Sequence, residues 1–314
     1  MRLRILNTIG EIFDNDAKKI LEKLGKVDYL NITQAELMEN IKKYDIILCG
    51  LGLNFTSNVL GGVDKLKIIA TATTGLDHID LKKAEEKKIK IVSLKEEVDF
   101  LNTITGTAEL ALGLMILLAR NIPASHLSVL KGEWNRENFK GHSLFGKTLG
   151  IVGLGRLGKM MATYGSALGM KVVYVDPYVD NLNWRKIDFD ELLKISDYIS
   201  IHTHLNNETE NMFNIDSIRL MKRNACIINT SRGKIVDEKD IIHSLQNNII
   251  DGYATDVIDG EILFEKNNCS DHVLVKYAQS NSRVIITPHI GGMTYESRRD
   301  TDIFLAQKLF NMFK

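Results

Sequence analysis

The sequence predicts an α/β protein built as two doubly wound parallel-sheet domains. The chain is 314 residues long, more than one hydrophobic core normally fills, and 44% of it is hydrophobic. Short apolar runs alternate with amphipathic stretches through its first third, and the same alternation restarts at Thr148. One long apolar segment lies between the two runs.

Taken in order, RLRIL reads as a strand and FDNDAKKILEKLG as a helix closing on Gly25. TQAELMENIKKY opens with a Thr33/Glu36 capping box, and DIILCG is the next strand. KLKIIATATTG, the charged helix DLKKAEEKKIK and the strand IKIVSL complete a small parallel sheet with helices on its faces. Residues 102–120, NTITGTAELALGLMILLAR, predict one long helix, and Glu109, Arg120 and the interrupting glycines make it a buried interdomain helix, not a membrane span. The stretch GEWNRENFKGHSLFGKT has little periodicity and reads as a loop. From Thr148 strands and helices alternate as far as TPHIGG, and an amphipathic helix over roughly residues 294–313 follows.

Composition narrows the function. Forty basic residues balance forty acidic ones, so no overall field draws the chain to nucleic acid or to an anionic membrane surface. The first residues, MRLRILNTIG, are too short an apolar run for a signal peptide, and no stretch is expected to span a bilayer. Cys49, Cys226 and Cys269 are odd in number and far apart, which fits neither a disulfide framework nor a zinc site. The expectation is a cytoplasmic protein with reduced thiols, no metal, and a small-molecule ligand.

The second alternation opens with TLGIVGLGRLGKMMATYGSALGMKVVYVDPY. It places Gly153-x-Gly155-x-x-Gly158 between a strand and a helix, with Asp176 at the end of the next strand. Gly153 allows a tight turn, Gly155 lets the backbone approach a pyrophosphate, and Gly158 lets helix pack on sheet. Asp176 is placed to accept hydrogen bonds from an adenosine ribose. This is the pattern of a Rossmann domain, and an acid followed by Pro177 in place of a basic residue favours NAD over NADP.

Three later strands each end in a polar residue: Arg232 in NTSRG, Asp256 with Glu261 in TDVIDGE, and His289 in TPHIGG. Taken singly, each is an ordinary turn or loop residue. In an open parallel sheet, however, the C-terminal strand ends form the ligand crevice, so all three face the volume beside the glycine turn. Arginine offers a planar fork of donors to a carboxylate. Imidazole, titrating near neutrality, can take a hydroxyl proton and return it, and a neighbouring glutamate orients the ring and favours its charged form. With NAD as hydride carrier, this set suits oxidation and reduction at a carbon next to a carboxylate.

These residues resemble the D-isomer-specific 2-hydroxyacid dehydrogenase family. The similarity runs through TTGLDHIDL (73–81), TAELALGLMILLAR (107–120), GEWNRENFKGHSLFGKTLGIVGLGRLG (132–158), NTSRGKIVDE (229–238), TDVIDGE (255–261) and TPHIGG (287–292). The resemblance implies an NAD-dependent enzyme that moves a hydride between nicotinamide and C2 of a D-2-hydroxy or 2-keto acid. Arg232, Glu261 and His289 would be its catalytic set, with Arg232 on the substrate and His289 as acid/base. Asp256 would meet the nicotinamide amide, and Arg156 and Leu157 would offer backbone amides to the pyrophosphate. Pro177, His202, Thr209, Thr230 and Ser231 would line the cofactor, and the backbone of Thr74, Gly75 and Leu76 would hold the substrate carboxylate. It also implies a flavodoxin-like substrate domain made of residues 1–99 and 291–314, an NAD-binding Rossmann domain over 100–290, and a homodimer.

The chain departs from the family pattern in places. Glu261-Ile262 replaces the usual Glu-Pro, and the loop LFEKNNCSDHVLVKYAQSNSR is longer than usual. His204 stands where proline is common, and Thr73 where the first glycine is usual. TATTG lacks the arginine that phosphoglycerate enzymes place before this loop, which ranks phosphoglycerate below unphosphorylated or otherwise decorated acids. No regulatory domain is expected after the last helix. Two other readings stand beside the dehydrogenase: an NAD(H)-sensing interaction protein resembling corepressors, and a formate or phosphite dehydrogenase.

Overall fold

The structure, a computed structural model, describes residues 2–50, 52–264 and 268–314. Part of the long loop after Glu261, residues 265–267, therefore lies outside the described residues. The chain divides into two compact units, one running to Ile104 and resuming over Met293–Lys314, the other spanning Thr105–Gly292.

The first unit holds strands β1 (Leu3–Asn7), β2 (Gly25–Tyr29), β3 (Ile46–Cys49), β4 (Ile68–Thr71) and β5 (Lys90–Val92). They pair in parallel in the order β2-β1-β3-β4-β5, the flavodoxin-like doubly wound order. β3 and β4 are buried along their whole length, as strands covered on both faces must be. Helices Asn15–Leu21 and Tyr295–Asn311 pack against each other, and Leu305, Ala306 and Leu309 enter the same core as Ile5, Phe13, Ala17 and Leu21. The last helix thus completes the unit that the first residues begin.

One local expectation changes. The first helix ends at Leu21, and Gly25 opens β2 instead of closing the helix. A Cβ on Gly25 would stand 2.1 Å from the Leu3 carbonyl oxygen, so close strand pairing, not helix termination, is what requires glycine there. The capping box forms as expected: Thr33 Oγ1 accepts the Glu36 N–H, and the Glu36 carboxylate accepts the Thr33 N–H.

The second unit holds β6 (Thr148–Val152), β7 (Lys171–Val175), β8 (Arg185–Lys186), β9 (Tyr198–Ile201), β10 (Cys226–Asn229), β11 (Gly252–Thr255) and β12 (Val284–Ile286). Their order, β12-β11-β10-β9-β6-β7-β8, is all parallel and reverses between β6 and β9. That is the Rossmann order extended by one strand, with its switch point at the end of β6.

The long apolar helix starts later than expected. Val98–Ala119 is long and apolar enough to cross a membrane by length and composition, contrary to the expectation that no stretch would be. A turn at Asn102–Thr105 breaks it, and the helix proper is Gly106–Ala119. Its Ala111, Leu114, Met115 and Ala119 are buried with Leu149, Ile228 and Ala254 of the second sheet. A further helix, Ile122–Leu130, follows Asn121, which adopts φ +52°.

Candidate active site

Three features of the second unit meet the requirements of a dinucleotide. β6 ends at Gly153, whose φ of +91° turns the chain into the helix Arg156–Ala167. A Cβ on Gly158 would stand 2.0 Å from the Gly153 carbonyl oxygen, and one on Gly153 would stand 2.8 Å from the His202 carbonyl oxygen. No protein atom lies within 4 Å of the place a Cβ on Gly155 would take, and no side chain caps the helix there. The loop is closed by backbone contact on two sides and open at the helix N-terminus, where a pyrophosphate is favoured. Arg156 and Leu157 start that helix.

Asp176 follows β7 and is 8% exposed. Its Oδ2 accepts the Leu154 N–H at 2.8 Å, and its Oδ1 accepts the N–H groups of Tyr178 and Val179 at 2.8 and 3.0 Å. Oδ1 is filled by its two N–H donors, but Oδ2 accepts only one, so the carboxylate can fix the glycine loop and still accept a ribose hydroxyl at Oδ2. The exposed Pro177 follows it, and Arg185 is ion-paired with Glu191 at 2.6 Å.

His202 follows β9, with Nε2 2.8 Å from Ser200 Oγ, and burial pushes its pKa down to about 4, so the ring is neutral at physiological pH. His204 is exposed, and its carbonyl accepts the Thr209 hydroxyl at 2.6 Å in the following turn. At the end of β10, Ser231 Oγ donates to the Ile201 carbonyl at 2.8 Å, while the Thr230 hydroxyl is buried with no hydrogen-bond partner among the described residues. A buried hydroxyl left this way costs about 1–3 kcal/mol unless a bound group satisfies it, which fits a cofactor-lining role.

The three predicted strand ends carry Arg232, Asp256 with Glu261, and His289 in one unit, and His289 touches both Glu261 and Asp256. His289 Nδ1 lies 2.7 Å from Glu261 Oε1. A carboxylate oxygen accepts, so Nδ1 carries the hydrogen and Nε2 is left for a ligand. Both side chains remain about one-quarter exposed, 27% and 24%. His289 also adopts φ +53°, a left-handed backbone that non-glycine residues rarely take.

Asp256 holds that conformation in place. Its carboxylate accepts the Thr287 hydroxyl at 2.6 Å and the N–H groups of Ile290 and Gly291 at 2.8 and 2.7 Å, and its carbonyl accepts the His289 N–H at 2.9 Å. It is 1% exposed, and burial raises its carboxyl above the ordinary range. Asp256 was expected to face the nicotinamide; the structure adds that it ties the ends of β11 and β12 together. Thr287 sits within the TPH motif, yet its bond to Asp256 could not be read from spacing.

Arg232 leaves β10 through a turn braced by Asn229, whose Nδ2 donates to the Arg232 carbonyl at 2.9 Å and whose Oδ1 accepts the Ser231 N–H at 3.0 Å. One guanidinium nitrogen donates to the Ser231 carbonyl at 2.8 Å. Thr74, Gly75 and Leu76 belong to the first unit, just after β4, where the Thr73 hydroxyl donates to the Gly75 carbonyl at 2.8 Å. Among the described residues no group of three or more His, Cys, Asp or Glu is arranged to hold a metal.

The family described as "D-isomer specific 2-hydroxyacid dehydrogenase, NAD binding domain" matches residues 112–291. The chain is 36% identical over 301 residues to D-3-phosphoglycerate dehydrogenase of Methanocaldococcus jannaschii, covering 94% of this chain and 55% of that one. It thus spans about half the length of that relative. It is 33% identical over 306 residues to hydroxypyruvate reductase of Thermotoga maritima, covering 96% of each. Among solved structures, D-lactate dehydrogenase of Aquifex aeolicus complexed with NAD and lactic acid superposes with a TM-score of 0.88 at 27% identity, over 99% of this chain and 95% of that one. The family match over residues 112–291 and the 33% identity across 96% of both chains make this chain a member of the D-isomer-specific 2-hydroxyacid dehydrogenase family, its second unit containing that family's NAD-binding domain.

Proposed function

We propose that this protein is an NAD-dependent D-2-hydroxyacid dehydrogenase that works on an unphosphorylated 2-hydroxy or 2-keto acid. The observation that carries the reading is the 2.7 Å contact between His289 Nδ1 and Glu261 Oε1 at the strand edge that also bears Arg232. With Nδ1 committed to Glu261, Nε2 is the atom that gives a proton to the keto oxygen in reduction and takes one from the hydroxyl in oxidation. Glu261 keeps the ring in that tautomer. Arg232 supplies fixed donors for the substrate carboxylate and for the oxygen on C2. The backbone of Thr74 to Leu76 is assigned to the carboxylate as well.

Bound NAD supplies the hydride or accepts it. The residues that would hold it are the Gly153–Gly158 turn with the N–H groups of Arg156 and Leu157 for the pyrophosphate, Asp176 for the ribose, and His202, Thr209, Thr230, Ser231 and Pro177 along the cofactor. Asp256 would orient the nicotinamide amide. The preference for an unphosphorylated substrate rests on the stretch IIATATTG, which brings no arginine to the loop after β4. NADH oxidation with glyoxylate, pyruvate, hydroxypyruvate, its 3-phospho form and branched keto acids tests both parts. Turnover with none of them would end the reading, and a preference for the phospho form would end the substrate assignment.

The working unit is proposed to be a homodimer. Ile122, Leu127, Val129, Leu130, Trp134 and Phe145 form an exposed apolar set on and beyond the helix Ile122–Leu130, with Trp134 90% exposed. So much uncovered apolar surface suits a self-complementary interface. Sedimentation as a monomer at micromolar concentration would remove this part. The free, buried thiols of Cys49 and Cys226 support a cytoplasmic setting.

A further inference from the structure

The second unit contains another histidine–carboxylate pair, and it grips the chain segment that carries Glu261. Glu238 begins the helix Glu238–Gln246 and is 7% exposed. Its Oε1 accepts the Asp259 N–H at 2.9 Å, and its Oε2 lies 3.2 Å from His272 Nε2. The same Nε2 lies 3.0 Å from the Asp259 carbonyl oxygen. A carbonyl oxygen only accepts, so Nε2 carries the hydrogen and is shared between Asp259 and Glu238. Glu238 and His272 therefore hold the peptide groups on both sides of Asp259.

Two contacts fix this arrangement. The Phe264 ring meets His272 edge to face, with centroids 5.8 Å apart and planes at 78°. Gly233, next to Arg232, packs so tightly that a Cβ there would stand 2.2 Å from the Ile258 carbonyl carbon and 2.4 Å from the Asp259 nitrogen. Gly260, at φ +72°, then turns the chain so that Glu261 reaches His289. Burial pushes the Glu238 carboxyl up to about 7 against the pull of the Asp259 N–H, and the charges of Asp259, Asp237 and Glu261 push the same way.

We propose that Glu238 and His272 are positioning residues for the acid/base pair: by clamping the peptides around Asp259 they hold Glu261 on His289 and keep the Arg232 turn in register. The inference rests on the reading of His289 as the acid/base. Neither clamp residue touches the reacting atoms in this assignment; their effect passes through Glu261.

The test compares His272→Leu, Glu238→Gln and His272→Gln with wild type. Leucine removes the donor. Glutamine at 238 can still accept from Asp259 but turns an amide donor toward His272. Glutamine at 272 restores an N–H for the Asp259 carbonyl. The tautomer of the His289 ring, read from its nitrogen chemical shifts in the cofactor-free protein at a pH where the ring is neutral, reports Glu261 directly. Wild type and His272→Gln should show the Nδ1–H form, while His272→Leu and Glu238→Gln should shift toward the Nε2–H form that free imidazole favours. On a keto acid that wild type reduces, the two disruptive variants should lose roughly ten- to a hundredfold in kcat, with NADH affinity within about twofold and His272→Gln near wild type. A folded His272→Leu that keeps both the Nδ1–H tautomer and wild-type kcat overturns the clamp, as does a His272→Gln as impaired as His272→Leu. If wild type reduces no keto acid, the acid/base reading fails, and the tautomer comparison alone decides the clamp.

Discussion

The two histidine–carboxylate pairs of the second unit use the same chemistry for opposite ends. His289 and Glu261 are about one-quarter exposed, and one ring nitrogen is left for a ligand. The side chains of His272 and Glu238 are 12% and 6% exposed, and His272 Nε2 and Glu238 Oε1 are turned onto the backbone of Asp259. The open pair follows β11 and β12 at the C-terminal end of a parallel sheet, where ligands bind; the closed pair grips Asp259, two residues before Glu261. If His289 is the proton donor proposed above, what separates it from the brace is not residue type or even pairing, but that one ring nitrogen is left uncommitted on a partly exposed side chain. Local strain follows the same division, since φ is +53° at His289 and −66° at His272.

The comparison can be broken most directly at the open pair. His289→Gln and Arg232→Ala should each lower kcat by roughly 10²- to 10⁴-fold while NADH binding, followed by fluorescence, persists. A rate near wild type in either variant would take the role away from that residue. Glu261→Gln should cost less, roughly ten- to a hundredfold, because the imidazole remains and only its orientation is loosened. A loss equal to that of His289→Gln would mean that Glu261 itself reaches the substrate. Asp176→Ala, outside both pairs, should have the smallest effect on proton transfer: NAD affinity falls and the preference over NADP shrinks by about tenfold, an effect of about 1.4 kcal/mol. An unchanged ratio would show that another group reads the ribose.

Much of the fold was legible because its strands are short apolar runs and its helices carry helical spacing. Arg232, Glu261 and His289 could be found for a related reason: each follows such a run, and parallel-sheet topology brings run ends together. The parts that were not legible depend on contacts with no period. Gly25 looked like a helix end because its contact with Leu3 is made across the sheet. Asn102–Thr105 looked helical because its neighbours are apolar, whereas a turn breaks the helix there. The clamp escaped entirely: Glu238 reads as a helix-opening acid, and His272 falls in a loop whose length is unusual for the family. Only folding brings both to Asp259.

The central claim is that His289, held by Glu261, moves the proton of a 2-hydroxy acid while the cofactor carries hydride. The most direct measurement is NADH oxidation across the keto acid panel by wild type and His289→Gln side by side, with the configuration of the product determined. The account predicts that wild type consumes NADH with at least one unphosphorylated 2-keto acid, yields the D-2-hydroxy acid, and loses this activity in His289→Gln. Production of the L-acid, equal rates in the two proteins, or no turnover on any member of the panel would contradict it.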